Sequence, residues 1–357
     1  MINLQKNIFV EHLLKSHLVS IWIALLMGVA WILPILTPKA HAQEKANDGK
    51  TKTIVILRYR IAPNAFSTTV KGLKEALDKR GYSEGKNVNY IDVLTPTADA
   101  RSVPVVLDAV RNHLKDADVF VTCGWISMYA RTILKNTGTP QFFCPVLKSV
   151  ALKMLDSVAT PPKTNLSGVY LMYPPEKLLR ISRLILPSAR RYGYIFDSRI
   201  PADMVFKAAC EALPPEKYHG FHMVYIDITN GPDEIIKSLT ARPVDVYGGI
   251  VGAFRNRKAL NVLNIPMVTA LTLDIEKKEI SKYLKKDNTI AGLFNPFSYC
   301  GKEVGEMIAD IFDKKATIYD TIPRPAQQIA FLNLRAARRL GIFIPFEALE
   351  AVDLVVK

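Results

Sequence analysis

The chain has 357 residues, 49% of them hydrophobic and 22% charged, which is enough apolar material for two ordinary domains and unlike a disordered segment. The 47 Lys and Arg against 33 Asp and Glu give a formal charge of +14, but they are scattered, without a dense basic run or interleaved aromatics. That pattern argues against a nucleic-acid partner. The four cysteines have no C-x-x-C spacing and no nearby His cluster, which argues against a metal site.

The first 42 residues read as a leader. Lys6 and Lys15 precede a nearly continuous apolar run from Leu18 to Leu36, and Ala40-His41-Ala42 places small residues where a signal peptidase reads. The run is also about as long as a membrane span, so an uncleaved anchor is the competing reading. A polar spacer, 43–52, follows. Export to the periplasm is expected, a compartment that permits disulfides, and Cys123 with Cys144 is the pair to consider.

From Thr53 strand and helix alternate. Strands are expected at Thr53–Leu57, Val88–Val93, Val119–Thr122, Gln141–Phe143 and Gly168–Leu171. Helices are expected at Phe66–Lys79, Val103–Leu114 and from Ser127. The pattern restarts after the Pro-rich stretch Tyr173–Glu176. Helices Leu178–Leu186, Ala202–Leu213, Pro232–Leu239 and Asn256–Leu263 alternate with strands Tyr192–Phe196, His222–Ile226, Val244–Ile250 and Pro266–Ala270. Such alternation predicts doubly wound parallel sheets with helices on both faces.

A late strand, Thr289–Phe294, a helix Gly301–Phe312 and a strand Gln328–Leu332 remain. They suggest two lobes joined by several crossings, with lobe 1 formed by 53–172 plus 289–328 and lobe 2 by 173–288 plus 329–357. That topology creates a hinge and a cleft.

The C-terminal run Phe331-Leu332-Asn333-Leu334-Arg335-Ala336-Ala337-Arg338-Arg339-Leu340-Gly341-Ile342-Phe343-Ile344-Pro345, continued by Ala351-Val352-Asp353, resembles the closing motif of ABC-transporter substrate-binding proteins related to the tryptophan-binding TrpX type. Gly72-Leu73 with Gly81 to Val88, Asp116-Ala117-Asp118-Val119 leading to Gly124, Asn165 to Val169, and Leu186-Pro187 agree with it in order and spacing. The resemblance covers Thr53 to Val356 and implies a type I periplasmic-binding fold with a small organic solute between the lobes. It also implies an ABC permease in the inner membrane as partner. Two departures fall at the presumed cleft. Trp125-Ile126 replaces a small Thr-Pro pair, and Leu147-Lys148-Ser149 stands where an Asp-Pro pair is common.

No G-x-S-x-G elbow, P-loop or G-x-G-x-x-G follows the first strand, so binding without catalysis or a cofactor is the expectation. Aromatic or polar residues recur just after the strands, where open α/β sheets bind ligands. They are Tyr59, Arg60, Asn64 and Phe66; Gly124, Trp125 and Ser127; Cys144; Asp197 and Ser198; Phe254; Thr269; and Asn295 and Phe297. Aromatic walls favour a planar or apolar solute. Helix N-termini near Phe66 and Ser127, with Arg60 or Arg255, would hold a carboxylate, and Asp197 an ammonium group. An aromatic amino acid, another zwitterion or an aromatic acid would satisfy these, bound to a monomer. A protein reporting to a sensor kinase or chemoreceptor is the alternative, and an exported enzyme the remaining one.

Overall fold

A computed structural model describes residues 50–357 except 61–63 and 98. The expected leader therefore lies outside the described residues. Among those described, no helix is long and apolar enough to cross a membrane.

Two sheets organise the chain. The first contains β1 (Lys52–Tyr59), β2 (Val88–Thr95), β3 (Val119–Thr122), β4 (Gln141–Leu147), β5 (Leu166–Leu171) and the short β11 (Arg324–Pro325). Its order is β11-β5-β4-β3-β1-β2, and every pairing is parallel. The second contains β6 (Arg191–Phe196), β7 (His222–Asp227), β8 (Val246–Gly248), β9 (Met267–Leu271), β10 (Thr289–Phe294), β12 (Ile329–Asn333) and β13 (Leu354–Val356), in the order β13-β12-β10-β9-β8-β6-β7. Here β12 runs antiparallel to β10. Strands β3, β5, β9, β10 and β12 are buried along their whole length, as expected of strands covered on both faces. The chain is therefore an α/β protein of two doubly wound lobes.

The first lobe carries α1 (Ser67–Lys79), α2 (Val103–His113), α3 (Ser127–Leu134) and the single turn α4 (Lys148–Ala151). The second carries α5 (Pro175–Ile185), α6 (Pro201–Glu211), α7 (Pro232–Ala241), α8 (Val251–Leu260), α9 (Ile280–Tyr283), α11 (Leu334–Arg339) and α12 (Phe346–Glu350). Helix α10 (Phe297–Phe312) returns to the first lobe and lies against α1. The two helices approach at glycines. A Cβ at Gly301 would sit 1.9 Å from the Thr69 carbonyl oxygen, and one at Gly72 would sit 2.1 Å from that of Ser298. At the end of this pair, Arg80 reaches Glu306, Asp310 and Asp313 at 2.6, 2.8 and 2.7 Å.

Several expectations change. Thr289–Phe294, assigned to lobe 1 from the sequence, pairs with β9 and β12 in the second sheet. Its burial on both faces suits a central strand, and Gly292 lets the Thr269 carbonyl approach where a Cβ would meet it at 1.9 Å. The crossing back to the first lobe follows Phe294. Strand β4 runs on past Phe143 to Leu147, because an irregularity in its pairing with β5 between Phe143 and Val146 accommodates Pro145. Helix α8 begins at Val251, five residues before the expected Asn256.

The chain crosses between lobes at 172–174, 295–296 and 326–328. The crossings are tied to one another: Asn295 Nδ2 donates to the Gln327 carbonyl at 2.7 Å, Gln328 Nε2 to the Met172 carbonyl, and Lys177 Nζ to Gln328 Oε1 at 2.8 Å. This three-stranded waist is the hinge.

Candidate functional site

The carboxyl ends of β1 and β3 meet at the switch point of the first sheet, where ligand crevices form. Tyr59 packs edge-on against Phe66, ring centroids 5.0 Å apart, and Phe66 stacks on Phe297 at 5.6 Å. Burial pushes the Tyr59 phenol up to about 12, although the Trp125 backbone hydrogen-bonds it. Gly124 adopts φ +64°, and a Cβ there would lie 2.6 Å from Tyr59 Oη, so the tight turn requires glycine. Ala65 and Phe66 both adopt left-handed backbone, and the Ala65 carbonyl is held by Arg58 at 2.7 Å. Phe66 and Phe297 are buried and Tyr59 is partly buried, so the three rings form a packed aromatic stack at this corner.

Across from this stack stands Asp274, three residues past β9. Its Oδ1 accepts from the Thr68 N–H at 3.2 Å and from the Thr68 hydroxyl, capping α1 from the opposite lobe. Asn64 Nδ2 donates to the Asp274 carbonyl at 3.0 Å. Burial raises the Asp274 carboxyl, with the Thr68 hydrogen bonds opposing it. Two further contacts join the lobes: Tyr173 Oη donates to the Leu271 carbonyl at 3.1 Å, and Ser298 Oγ to Glu276 at 2.9 Å.

In the second lobe, the carboxylate of Asp203 accepts N–H groups from Asp197 at 2.9 Å, Val251 at 2.8 Å and Gly252 at 2.8 Å. Burial raises this carboxyl against the three hydrogen bonds. Asp197 is closed by Arg199, which donates from Nε at 2.9 Å and Nη2 at 2.8 Å and holds it below the usual carboxylate range. Ser198 shares hydrogen bonds with Thr229.

A cavity of about 330 Å³ opens between the lobes at these strand ends. Its first-lobe wall is Leu147, Lys148, Ser149 and Leu152 after β4, with Leu171 to Pro174 of the crossing. Its second-lobe wall is Val205, Phe206 and Ala209 of α6, with Ile250 before α8. A larger depression, about 510 Å³, runs along α3 past Arg131, Lys135 and Lys153. It touches one lobe only, whereas the smaller cavity is walled by both. The interlobe cavity is the candidate site.

The structure distributes the expected residues unevenly. Tyr59, Phe66, Gly124 and Phe297 come together at one corner; Asn64, exposed, joins them through Asp274. Arg60 is exposed at the end of β1. Trp125 does not face the cavity: its indole packs against the cluster of Phe143, Val146 and Tyr170, with Lys153 Nζ 5.5 Å over the ring. Ser127 is buried, its hydroxyl donating to the Thr122 carbonyl at 2.9 Å. Cys144 lies in the core inside β4, four free cysteines being buried and unbridged. Thr269 Oγ1 donates to the Gly249 carbonyl at 2.6 Å within the sheet. Phe254 is a core residue under the Arg257 guanidinium, 3.9 Å from its ring centroid. Asn295 belongs to the hinge. The cavity wall itself escaped prediction, apart from the signal in Leu147-Lys148-Ser149, where the chain departs from the family pattern.

Solved structures share this architecture. A conserved domain protein from Vibrio cholerae is similar over 86% of this chain and 100% of its own, with TM-score 0.67 and 20% identity. An ABC domain from Streptococcus pneumoniae in complex with L-Trp is similar over 86% and 100%, with TM-score 0.69 and 17% identity. The chain has a type I periplasmic-binding-protein fold. The ligand-free, open structure of a substrate-binding protein with adhesive properties from Clostridium difficile, similar over 85% and 99% at TM-score 0.66 and 19% identity, has the same fold. No family model matches the chain, and no curated protein does.

Proposed function

We infer that the protein is an exported solute-binding protein that closes by hinge motion around a small organic solute and presents it to an ABC permease. The observation that carries this reading is the interlobe cavity, walled by both lobes at the ends of their strands and set beside a three-crossing hinge. Its apolar lining favours burial of a ring or an aliphatic body. The leader-like N-terminus supports export, and the similarity to solute-binding proteins supports transport as the readout. In this reading the solute is bound and released unchanged.

Calorimetry and thermal shift against small organic solutes test this. One solute is expected to bind at one site per chain, raise the melting temperature and reduce the radius of gyration in X-ray scattering. Conversion of a solute to a product would replace binding by catalysis, and saturation with no change in scattering would remove the hinge motion.

A further inference from the structure

The depression along α3 is built around an arginine that the fold buries without a counter-charge. Arg131 is only 7% exposed, and its Nη1 donates to Asn165 Oδ1 at 2.7 Å. Asn165 is itself fixed, its amide nitrogen facing the carbonyls of Leu134, Thr137 and Thr139 at 2.9, 2.9 and 2.7 Å. Asn165 needs a donor from Arg131 and not a charge, so a neutral side chain would serve it. The Nε and Nη2 nitrogens have no hydrogen-bond partner among the described residues, and Arg131 lines the depression, so they are left to meet what enters it. Two more cations share that lining. Lys135 follows Arg131 one helical turn on, and Lys153 approaches from the far side with its Nζ 5.5 Å over the Trp125 ring. Among the described residues none of the three forms an ion pair with a carboxylate. Exposed lysines alone would be an ordinary solvated patch. A buried guanidinium is not, because removing its charge from water costs free energy that only an opposite charge recovers. Burial accordingly lowers the Arg131 guanidinium, with the Tyr319 phenol opposing it.

We propose that this depression is a second binding site, which takes a phosphate monoester, with Arg131 as its anchor and Lys135 and Lys153 as flanking charges. It stands apart from the interlobe cavity and does not depend on the solute bound there. Three cations around one depression exceed what a single carboxylate neutralises. A phosphate monoester brings about two negative charges near neutral pH and three acceptor oxygens. The guanidinium fork matches two of those oxygens, and each lysine adds a point charge. The volume of about 510 Å³ is more than a phosphate group fills, and Met128 and Met154 line the remainder, where an organic body can rest.

The test is calorimetry on the purified protein at low ionic strength with glycerol 3-phosphate and glucose 6-phosphate, against glycerol and glucose. A phosphorylated compound is expected to saturate one site per chain, and its parent alcohol or sugar is expected not to bind. Arg131→Gln, which can still donate to Asn165 but carries no charge, is expected to bind at least tenfold more weakly with an unchanged melting temperature. The double variant Lys135→Ala/Lys153→Ala removes exposed side chains and is expected to bind at least threefold more weakly. Vesicles of phosphatidylcholine with and without phosphatidic acid separate the two sources of such a group. Retention that needs both phosphatidic acid and Arg131 would support the site and assign the monoester to a lipid, whereas saturation by the soluble compounds assigns it to a free one. Binding of neither, or equal binding of a compound and its unphosphorylated parent, would overturn the proposal. Wild-type affinity in folded Arg131→Gln would overturn it too. Where Arg131→Gln does not fold, the lysine double variant decides, and wild-type affinity there would overturn the proposal.

Discussion

Gly124 shows what a single residue decides at this site. Its φ of +64° and the 2.6 Å approach of Tyr59 Oη to the place of a Cβ mean that Gly124→Ala must both strain the backbone and displace the Tyr59 ring. A loss of about 1–3 kcal/mol in urea unfolding is expected. Asp313 carries a second prediction. Burial alone would raise its carboxyl, but hydrogen bonds from Tyr82, Arg80 and Lys315 outweigh that and bring it from 3.8 to about 2. Because the folded value lies below the unfolded one, this stabilisation is fully present above about pH 4 and is lost as pH falls through 2. The stability gap between wild type and Asp313→Asn should therefore be constant at neutral pH and shrink between pH 4 and 2. The thiols give a third. All four are buried, and burial pushes Cys210 up to about 12 and raises the other three thiols as well, so the native protein should not react with a thiol reagent that modifies it rapidly once unfolded. At this scale residue type was legible but partnership was not. Asp197 reads as an anchor for an ammonium group until Arg199, two residues on, is seen folded onto it.

Among the elements, the pairing of α1 with α10 is the most constrained. Gly301→Ala would place a methyl 1.9 Å from the Thr69 carbonyl, so the helices must part at the turn that meets Asp274. A loss of about 1–3 kcal/mol is expected, read as a lower melting temperature. Most helices and strands were legible because apolar residues recur at 3.6 or 2 residues. The failures have physical causes. The sequence pattern ends β4 ahead of Pro145, since proline ordinarily ends a ladder, and the irregular pairing that tolerates it leaves no local trace. The apolar run of β10 says that it is buried and not in which sheet, so the expectation of lobe 1 does not hold. The consequence reached the site: ending β4 at Phe143 put Cys144 forward, whereas the cavity wall begins at Leu147.

For the whole molecule, two lobes with the same strand winding follow from the repeat of strand and helix, and the chain passes from the first sheet to the second beside the prolines at 174–175. The face each lobe turns to the other depends on contacts between residues about 200 positions apart, such as Thr68 with Asp274, and periodicity carries no information on these. The most direct test of solute binding between the lobes is a parallel calorimetric titration of wild type and Ala209→Trp with the solute that binds wild type most tightly. Ala209 lies on α6 at the exposed edge of the cavity, so an indole there fills the space without entering the core. With the melting temperature of the free protein unchanged, Ala209→Trp is expected to bind at least tenfold more weakly than wild type. Equal affinity of the two would place the solute elsewhere and contradict the assignment of this cavity.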